Sequence, residues 1–441
     1  MKLKEIEVEN LFGIFNHKIK LIPDSRITIV IGENGLGKTV LLEMIEAFFK
    51  ERYFYFNNID FKSIKFKFDD EITWLLEKDT LKGDLPLLTL TQINKNGKNF
   101  KPHRLNNFQS RDIEMLTRRI SRQVPNLTRI GPRAWEDRRT GEIIHQDELL
   151  FKYSEYVPND IYLNQLESPK WFKDRQELIY VSLIETQRLI SLEEREEKTH
   201  KKTVEKYSSE LTRTIKSFLT ESTELSSKLD RTYPNRLVNR LKKTSNVTDE
   251  DLNKELLRLE KKRELLDIVG LIEIEKESNI LEIENPQDVI RDVLMLYVED
   301  SFKKIEIFDK IANKIETFLD IINRRFKHKK LHIDKENGFL FISTVIFDSE
   351  KKPQIIPVTK LSSGEQNELV LFYLLLFKTE ANSLILIDEP EVSLHISWQN
   401  CFIEDLKQIT ILNNLDVIIA THSPDIISNN WNLKVELKGL E

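Results

Sequence analysis

"RITIVIGENGLGKTVLLEMIEAFF", residues Arg26–Phe49, changes character twice in a short span. Arg26–Ile31 alternates and is β-branched, as a buried strand should be. From Lys38 onward, apolar residues fall at Leu41, Leu42, Ile45 and Phe48 or Phe49, the spacing of a helix. Between them runs G-x-x-x-x-G-K-T: Gly32, then Asn34, Gly35 and Leu36, then Gly37, Lys38 and Thr39. The glycines let the backbone curl so that its N–H groups face an oxyanion. Lys38 reaches β and γ phosphates, the Thr39 hydroxyl suits Mg²⁺, and the helix N-terminus adds partial positive charge. Strand, loop and helix together predict a nucleotide phosphate loop, with ATP and Mg²⁺ as the implied cofactors. Val40 stands where a second hydroxyl is common, so the loop is expected to meet the α phosphate there through backbone only.

Two later stretches carry matching chemistry. "SLILIDEPEVSLH" (Ser383–His395) reads as a short buried strand ending in two acids. At such a strand end Asp388 would hold the metal through water and Glu389 would polarise an attacking water. Pro390 stops further strand pairing. The plainer reading is a solvated acidic turn. "LDVIIATHSP" (Leu415–Pro424) is a second buried strand, ending at Thr421, His422 and Ser423. Alone, His422 would read as structural; after the phosphate loop and the paired acids it reads as a γ-phosphate contact.

"GENGLGKT", "LSSGEQ", "LILIDEPEVSLH" and "THSP", in that order, resemble the ABC-type ATPase heads of the SMC, RecF and OLD group. The resemblance covers roughly residues 1–190 and 330–441. It implies an α/β fold: an ABC-type P-loop NTPase head, with a mixed sheet, an antiparallel β subdomain and a helical, short coiled-coil-like insert. The implied division is 1–190 for the N-terminal lobe, 191–330 for the insert and 331–441 for the C-terminal lobe. It makes Glu389, Lys38 and His422 catalytic, and Glu391–His395 the D-loop that crosses a dimer interface. It also implies that Ser362, Ser363, Gly364 and Glu365 cap the γ phosphate held by a second subunit. The residue types agree: Ser362 offers a hydroxyl, Gly364 permits close backbone approach, and the helix dipole points at an anion. Ser363 departs from the glycine of many transporters. In "IYVSLIETQRLI" (Ile179–Ile190), Gln187 matches the Q-loop glutamine that would complete the Mg²⁺ shell. The alternative is a surface glutamine beside a structural Arg188.

The rest of the chain bounds the setting. It has 441 residues, 40% hydrophobic and 32% charged, with net charge −6, so any nucleic-acid contact must come from local patches. One cysteine, Cys401, excludes an internal disulfide framework and is expected as a small core residue. No run of about 18 apolar residues occurs, so no membrane span is expected, and a cytoplasmic location follows. Residues 2–9, 17–22, 61–68, 71–78 and 87–93 read as strands, and 94–170 as polar, mixed sequence. From Ser191 a helix with a narrow seam at Val204, Leu211, Phe218 and Leu225 suggests a short antiparallel coiled coil, broken near Pro234. "TDED" (Thr248–Asp251) caps a helix with Leu252, Leu256 and Leu259 on one face, and Pro286 suits the first turn of another. Phe308, Ile311, Ile315, Phe318 and Ile322 form a clean stripe. "LHIDKENGFLFISTVIF" (Leu331–Phe347) reads as a hairpin re-entering the head. Basic clusters at Thr117–Arg122, Arg236–Lys243 and Arg324–Lys330 are either solvated faces or phosphate grips.

No TOPRIM nuclease domain is expected after the head, so an effector would lie on another chain. The compact head, the short insert, "EPEVSLHISWQ" and "THSPDIISNNWNLKVEL" resemble the stand-alone ATPases of prokaryotic antiphage systems, PARIS first and Septu next. That resemblance implies a homo-oligomeric sensor or scaffold, in head-to-head dimers or a larger assembly. It would hold a nuclease partner and answer to a phage-encoded trigger protein or DNA. A RecF-like repair ATPase that binds DNA, and a nucleotide-gated scaffold that scarcely turns over, are the other readings.

Overall fold

A computed structural model describes residues 2–57, 59–79, 87–97, 99–105, 110–124, 126–138, 141–146, 149, 153, 168–185, 203–242, 247–273, 283 and 286–439. The chain divides into two compact units, 1–195 with 379–441, and 196–378.

The first unit is built on two sheets. Strands β1 (Leu3–Leu11), β2 (Phe15–Lys20), β4 (Ser63–Phe68), β5 (Thr73–Asp79), β6 (Leu87–Ile93) and β7 (His103–Arg104) form an antiparallel sheet in the order β2-β1-β4-β5-β6-β7. The second sheet contains β3 (Ile27–Ile31), β11 (Val181–Glu185), β15 (Leu384–Asp388), β16 (Asp416–Ala420) and β17 (Lys434–Glu436). Its order is β11-β15-β16-β3-β17, and every neighbouring pair is parallel. Central strands of a parallel sheet are covered on both faces, which is why "ITIVI", "LILID" and "DVIIA" are nearly unbroken apolar runs.

Helix α1 (Lys38–Phe49) belongs to a core shared with both sheets. Phe48 stacks on Phe66 of the antiparallel sheet at 4.4 Å and meets Phe172 edge-on at 5.7 Å; Trp74 lies 4.9 Å from Phe172. On the parallel sheet, the buried Glu46 carboxylate of α1 accepts the Leu183 N–H of β11 at 3.0 Å. The stretch expected to be polar and mixed holds more order than its composition suggested. Helix α2 (Ser110–Gln123) and an antiparallel sheet of β8 (Leu127–Gly131), β9 (Ala134–Asp137) and β10 (Glu142–His145) lie there. These strands have four or five residues each, too few for a period-2 pattern to stand out.

The second unit contains α4 (Thr203–Leu241), which follows α3 (Lys170–Gln176) of the first unit in the chain, then α5 (Asp249–Ile268), α6 (Asp288–Glu306) and α7 (Asp309–Arg325). It also holds an antiparallel sheet of β12 (Lys329–Asp334), β13 (Gly338–Phe347) and β14 (Pro353–Ile356), and α8 (Ser363–Tyr373). At its 39 residues α4 is about 58 Å long. It runs antiparallel to α6: Ser222 Oγ donates to the Lys304 carbonyl at 2.9 Å, Arg236 pairs with Asp300, and Arg240 with Asp292 and Glu299. Fully buried residues of α4 stop at Ile215, so beyond that point polar and ionic contacts join the pair.

Three local expectations are corrected here. Pro234 does not break α4, which continues to Leu241. Arg236, held on Asp300, donates to the Leu229 carbonyl at 2.8 Å and ties this part of the helix to α6. Pro286 precedes the Gln287 N-cap of α6 rather than opening its first turn. Cys401 is exposed. The Thr248 cap stands as read: its hydroxyl accepts Asp251 N–H at 3.1 Å and Asp251 returns the bond at 3.2 Å.

The Arg324–Lys330 cluster is only partly a surface. Arg325 is buried against Glu368 of α8, with its guanidinium 4.7 Å from the centre of the Phe372 ring. An isolated buried guanidinium is costly, so this pair is sensitive to loss of one partner. Glu368→Ala is expected to lower the unfolding free energy by about 3–5 kcal/mol in urea titrations, and Glu368→Leu with Arg325→Met to recover most of it. A loss under about 1 kcal/mol for the single change would contradict the pairing.

Candidate functional site

Ligands of open parallel sheets bind beyond the carboxyl ends of the strands. Here β3, β16 and β15 lie side by side, with Val30 opposite Ala420 and Ala420 opposite Asp388. Segments far apart in the sequence therefore end at one crevice. Thr421 N–H closes the β16 end on the Val30 carbonyl at 3.1 Å, and Glu389 N–H closes the β15 end on the Ala420 carbonyl at 2.9 Å.

The phosphate loop spans Gly32 to Gly37, between β3 and α1. Gly35 (φ 86°) and Gly37 (φ 80°) are left-handed, a conformation that side chains resist. At Gly37 a Cβ would also lie 2.8 Å from Phe12 Cε2. Asn34 is exposed, whereas the Leu36 side chain is buried in the core and Val40 packs against it, so those two meet a ligand through backbone alone. Lys38 Nζ donates to the Gly32 and Glu33 carbonyls at 2.9 and 3.0 Å. Burial draws its ammonium below the usual lysine value, while Glu389, Asp388 and Glu391 oppose the shift.

Thr39 Oγ1 donates to Asp388 Oδ2 at 3.0 Å, bringing two of the three expected metal residues together. Glu389 adopts φ 44°, ψ 58°, uncommon for a residue with a side chain and notable immediately before a proline. Its Oε1 lies 3.9 Å from His422 Nε2, while Lys38 Nζ donates to His422 Nδ1 at 3.4 Å. An ammonium only donates, so Nδ1 accepts and Nε2 carries the hydrogen that faces Glu389.

Three residues take positions that sequence did not assign. Glu391, read as part of the D-loop, turns its carboxylate onto the next strand end, accepting Thr421 Oγ1 and His422 N–H, both at 2.8 Å. Gln399 donates to the Glu391 and Leu394 carbonyls at 3.3 Å and accepts from Ser423 Oγ at 2.8 Å. The His422 loop is thus tied to the segment after Glu389. His17 of β2 lies beneath the phosphate loop, with Nε2 2.8 Å from the Leu36 carbonyl. No local motif announces the backbone contact that any of these three makes.

The "LSSGEQ" stretch opens α8 in the second unit. Ser362 is the N-cap in a capping box: its Oγ accepts Glu365 N–H at 3.3 Å and its own N–H donates to Glu365 Oε2 at 2.9 Å. Lys329 Nζ pairs with Glu365 at 2.8 Å. Burial opposes ionisation of Glu365, but Lys329 and the Ser362 N–H hold its carboxyl below the usual range. Ser362 and Ser363 are exposed, and a Cβ on Gly364 would meet nothing within 4 Å. Arg325 and Lys329 of the basic cluster therefore brace this helix; Arg325 is too buried to meet DNA. Gln187 lies outside the described residues.

A family model described as an AAA ATPase domain matches residues 1–427. UvrABC system protein A of Clostridium acetobutylicum is 27% identical over 147 residues, 33% of this chain and 13% of that protein. The protein of the same name from Helicobacter pylori is 27% identical over 149 residues, 34% of this chain and 13% of its own length. The chain thus spans 13% of the length of these curated relatives. Among solved structures, an Smc head domain with an extended coiled coil bound to the C-terminal domain of ScpA, from Pyrococcus furiosus, covers 96% of this chain and 90% of its own at 14% identity, TM-score 0.29. The SMC head domain from Thermotoga maritima covers 97% and 91% at 10% identity, TM-score 0.30. Among the described residues, no helix is long and apolar enough to cross a membrane.

Glu391→Ala removes the carboxylate from the His422 amide. Hydrogen exchange at that amide is expected to rise at least tenfold, the loss of a charge-assisted bond of about 1.5–3 kcal/mol. Unchanged exchange would remove Glu391 from this role.

Proposed function

The chain belongs to the AAA ATPase domain family, and from that premise we propose that it binds and hydrolyses ATP with Mg²⁺ and works as a homo-oligomer. The observation that carries this reading is the 3.0 Å contact of Thr39 Oγ1 with Asp388, which joins the phosphate loop to the acid at the end of β15. One hydroxyl and one nearby carboxylate fit Mg²⁺, which keeps most of its sites for waters and phosphate oxygens. Among the described residues no group of three or more His, Cys, Asp or Glu offers a competing all-protein cage. When bound, the ion neutralises charge on the β and γ phosphates.

The protein groups then divide the task. Lys38 exchanges its two carbonyl partners for phosphate oxygens. Asp388 would hold the metal through water, and the sequence resemblance gives Gln187 the same role. Glu389, turned into the crevice by its left-handed backbone, polarises the attacking water, and His422 N–H chemistry steadies the γ phosphate. A second copy completes the site. The exposure of Ser362 and Ser363, and the absence of any neighbour that would require glycine at 364, support an outward use of this turn. Lys329 neutralises Glu365 beside it, which favours approach of an anion.

The finer reading is a sensor or scaffold subunit of a prokaryotic antiphage complex. It holds a separate effector, a nuclease, and releases or arms it on a phage trigger. It is supported by the sequence resemblance at Glu389–Gln399 and Thr421–Leu437.

Glu389→Gln is expected to retain ATP and to run as a dimer or larger assembly in light scattering; normal hydrolysis by that variant would refute the assigned base. For the finer reading, Lys38→Ala is expected to abolish protection in a phage plaque assay in cells carrying the neighbouring genes. Full protection would reject a nucleotide-dependent defence role.

A further inference from the structure

We infer that the β1–β2 hairpin holds the phosphate loop in its anion-binding shape, and that His17 is the positioning residue through which it does so. Leu36 sits between two left-handed glycines, Gly35 and Gly37. A turn of that kind directs N–H groups inward to the anion and leaves carbonyls facing out, where a buried one needs a donor. The Leu36 carbonyl finds it in His17 Nε2 at 2.8 Å. Because a carbonyl only accepts, Nε2 carries the hydrogen.

The surroundings keep His17 in that form. The residue is 3% exposed. Its other nitrogen, Nδ1, is buried with no hydrogen-bond partner among the described residues, so a second N–H there would face no acceptor. Burial also pulls the ring below the usual histidine value, against the bond to Leu36. The ring stacks on Phe15 at 5.6 Å with planes 15° apart, which fixes the direction of the donor. Strand register, with Val8 opposite His17, supports it from β1.

The other end of the hairpin braces the same loop sterically. Phe12 sits in a left-handed conformation (φ 54°), its N–H on the Asp60 carbonyl at 2.6 Å, and its ring fills the space that a Cβ on Gly37 would need. Phe12 sets where the loop lies, and His17 sets how the peptide at Leu36 is turned.

The inference rests on nucleotide binding at this loop, and the experiment separates the two. A fluorescent ATP analogue is titrated into the full chain and four variants, with melting midpoints measured alongside. Lys38→Ala should lose binding; if it binds normally, the nucleotide reading itself fails. His17→Phe keeps ring and stacking but not the donor, and is expected to weaken the Kd about tenfold, equivalent to about 1.4 kcal/mol. His17→Gln, which restores an N–H at comparable reach, should return the Kd to within about threefold of the parent. Normal binding by His17→Phe, or binding by His17→Gln as weak as by His17→Phe, would overturn the role. If His17→Phe is poorly folded, His17→Asn, whose amide is too short for Leu36, replaces it against His17→Gln. Equal affinities for that pair would likewise overturn it.

Discussion

The parallel pairing of β3 with β16, and of β16 with β15, is the constraint on which the site depends. Ile27–Ile31 comes early in the chain, whereas β16, which pairs with it, and β15 on the far side of β16 come from Leu384–Ala420. Without this long-range register, Thr39 and Asp388 share no neighbourhood, and the Glu389 amide has no Ala420 carbonyl on which to turn. The pairing is strong because the three strands are apolar on both faces and α1 covers them. That helix also reaches the antiparallel sheet through Phe48, Phe66 and Trp74, so one core holds the phosphate loop and its surroundings.

Around that frame the site is tied mostly by side chains on backbone groups. Glu391 holds the Thr421–His422 turn, Gln399 holds both segments, and His17 holds Leu36. Such bonds are individually modest, but each satisfies a polar group that would otherwise be stranded beside the crevice. The strained backbone at Glu389 is flanked by Asp388 on the Thr39 hydroxyl and Glu391 on the Thr421–His422 turn, with its own N–H on the Ala420 carbonyl. The turn at Ser362 in the second unit follows the same rule: Ser362 and Glu365 cap each other, Lys329 balances the charge, and the Arg325–Glu368 pair anchors the helix behind them.

Much of this was readable from local pattern. Lys38–Phe49 announces its helix by spacing, Leu384–Asp388 and Asp416–Ala420 announce strands by unbroken apolar runs, and Thr248 and Asp251 announce a cap. Where reading failed, the decisive partner lay elsewhere. Pro234 sits within a helix whose last turns are held on α6 by Arg236 on Asp300 and Arg240 on Asp292 and Glu299. Arg325 counted as surface charge because Glu368 is 43 residues away in the chain. Cys401 read as core because it lies in a helix-like pattern and cysteine is usually buried, yet it is exposed.

Local sequence was enough to mark the candidate groups: a glycine loop with Lys38 and Thr39, a strand-end Asp388–Glu389 pair, His422, and a Ser362–Gly364 turn at a helix start. Those are short-range patterns, because the backbone conformations they need are encoded in adjacent residues. Tertiary structure alone decided which groups aim them. β17 is only three residues long and carries no pattern of its own, yet it flanks β3 and closes on Gly32. His17, Glu391 and Gln399 are ordinary polar residues until the fold brings an unsatisfied backbone group within 2.8 to 3.3 Å of each. Hydrogen bonds act over such distances and depend on direction, so their partners exist only once the sheets have paired.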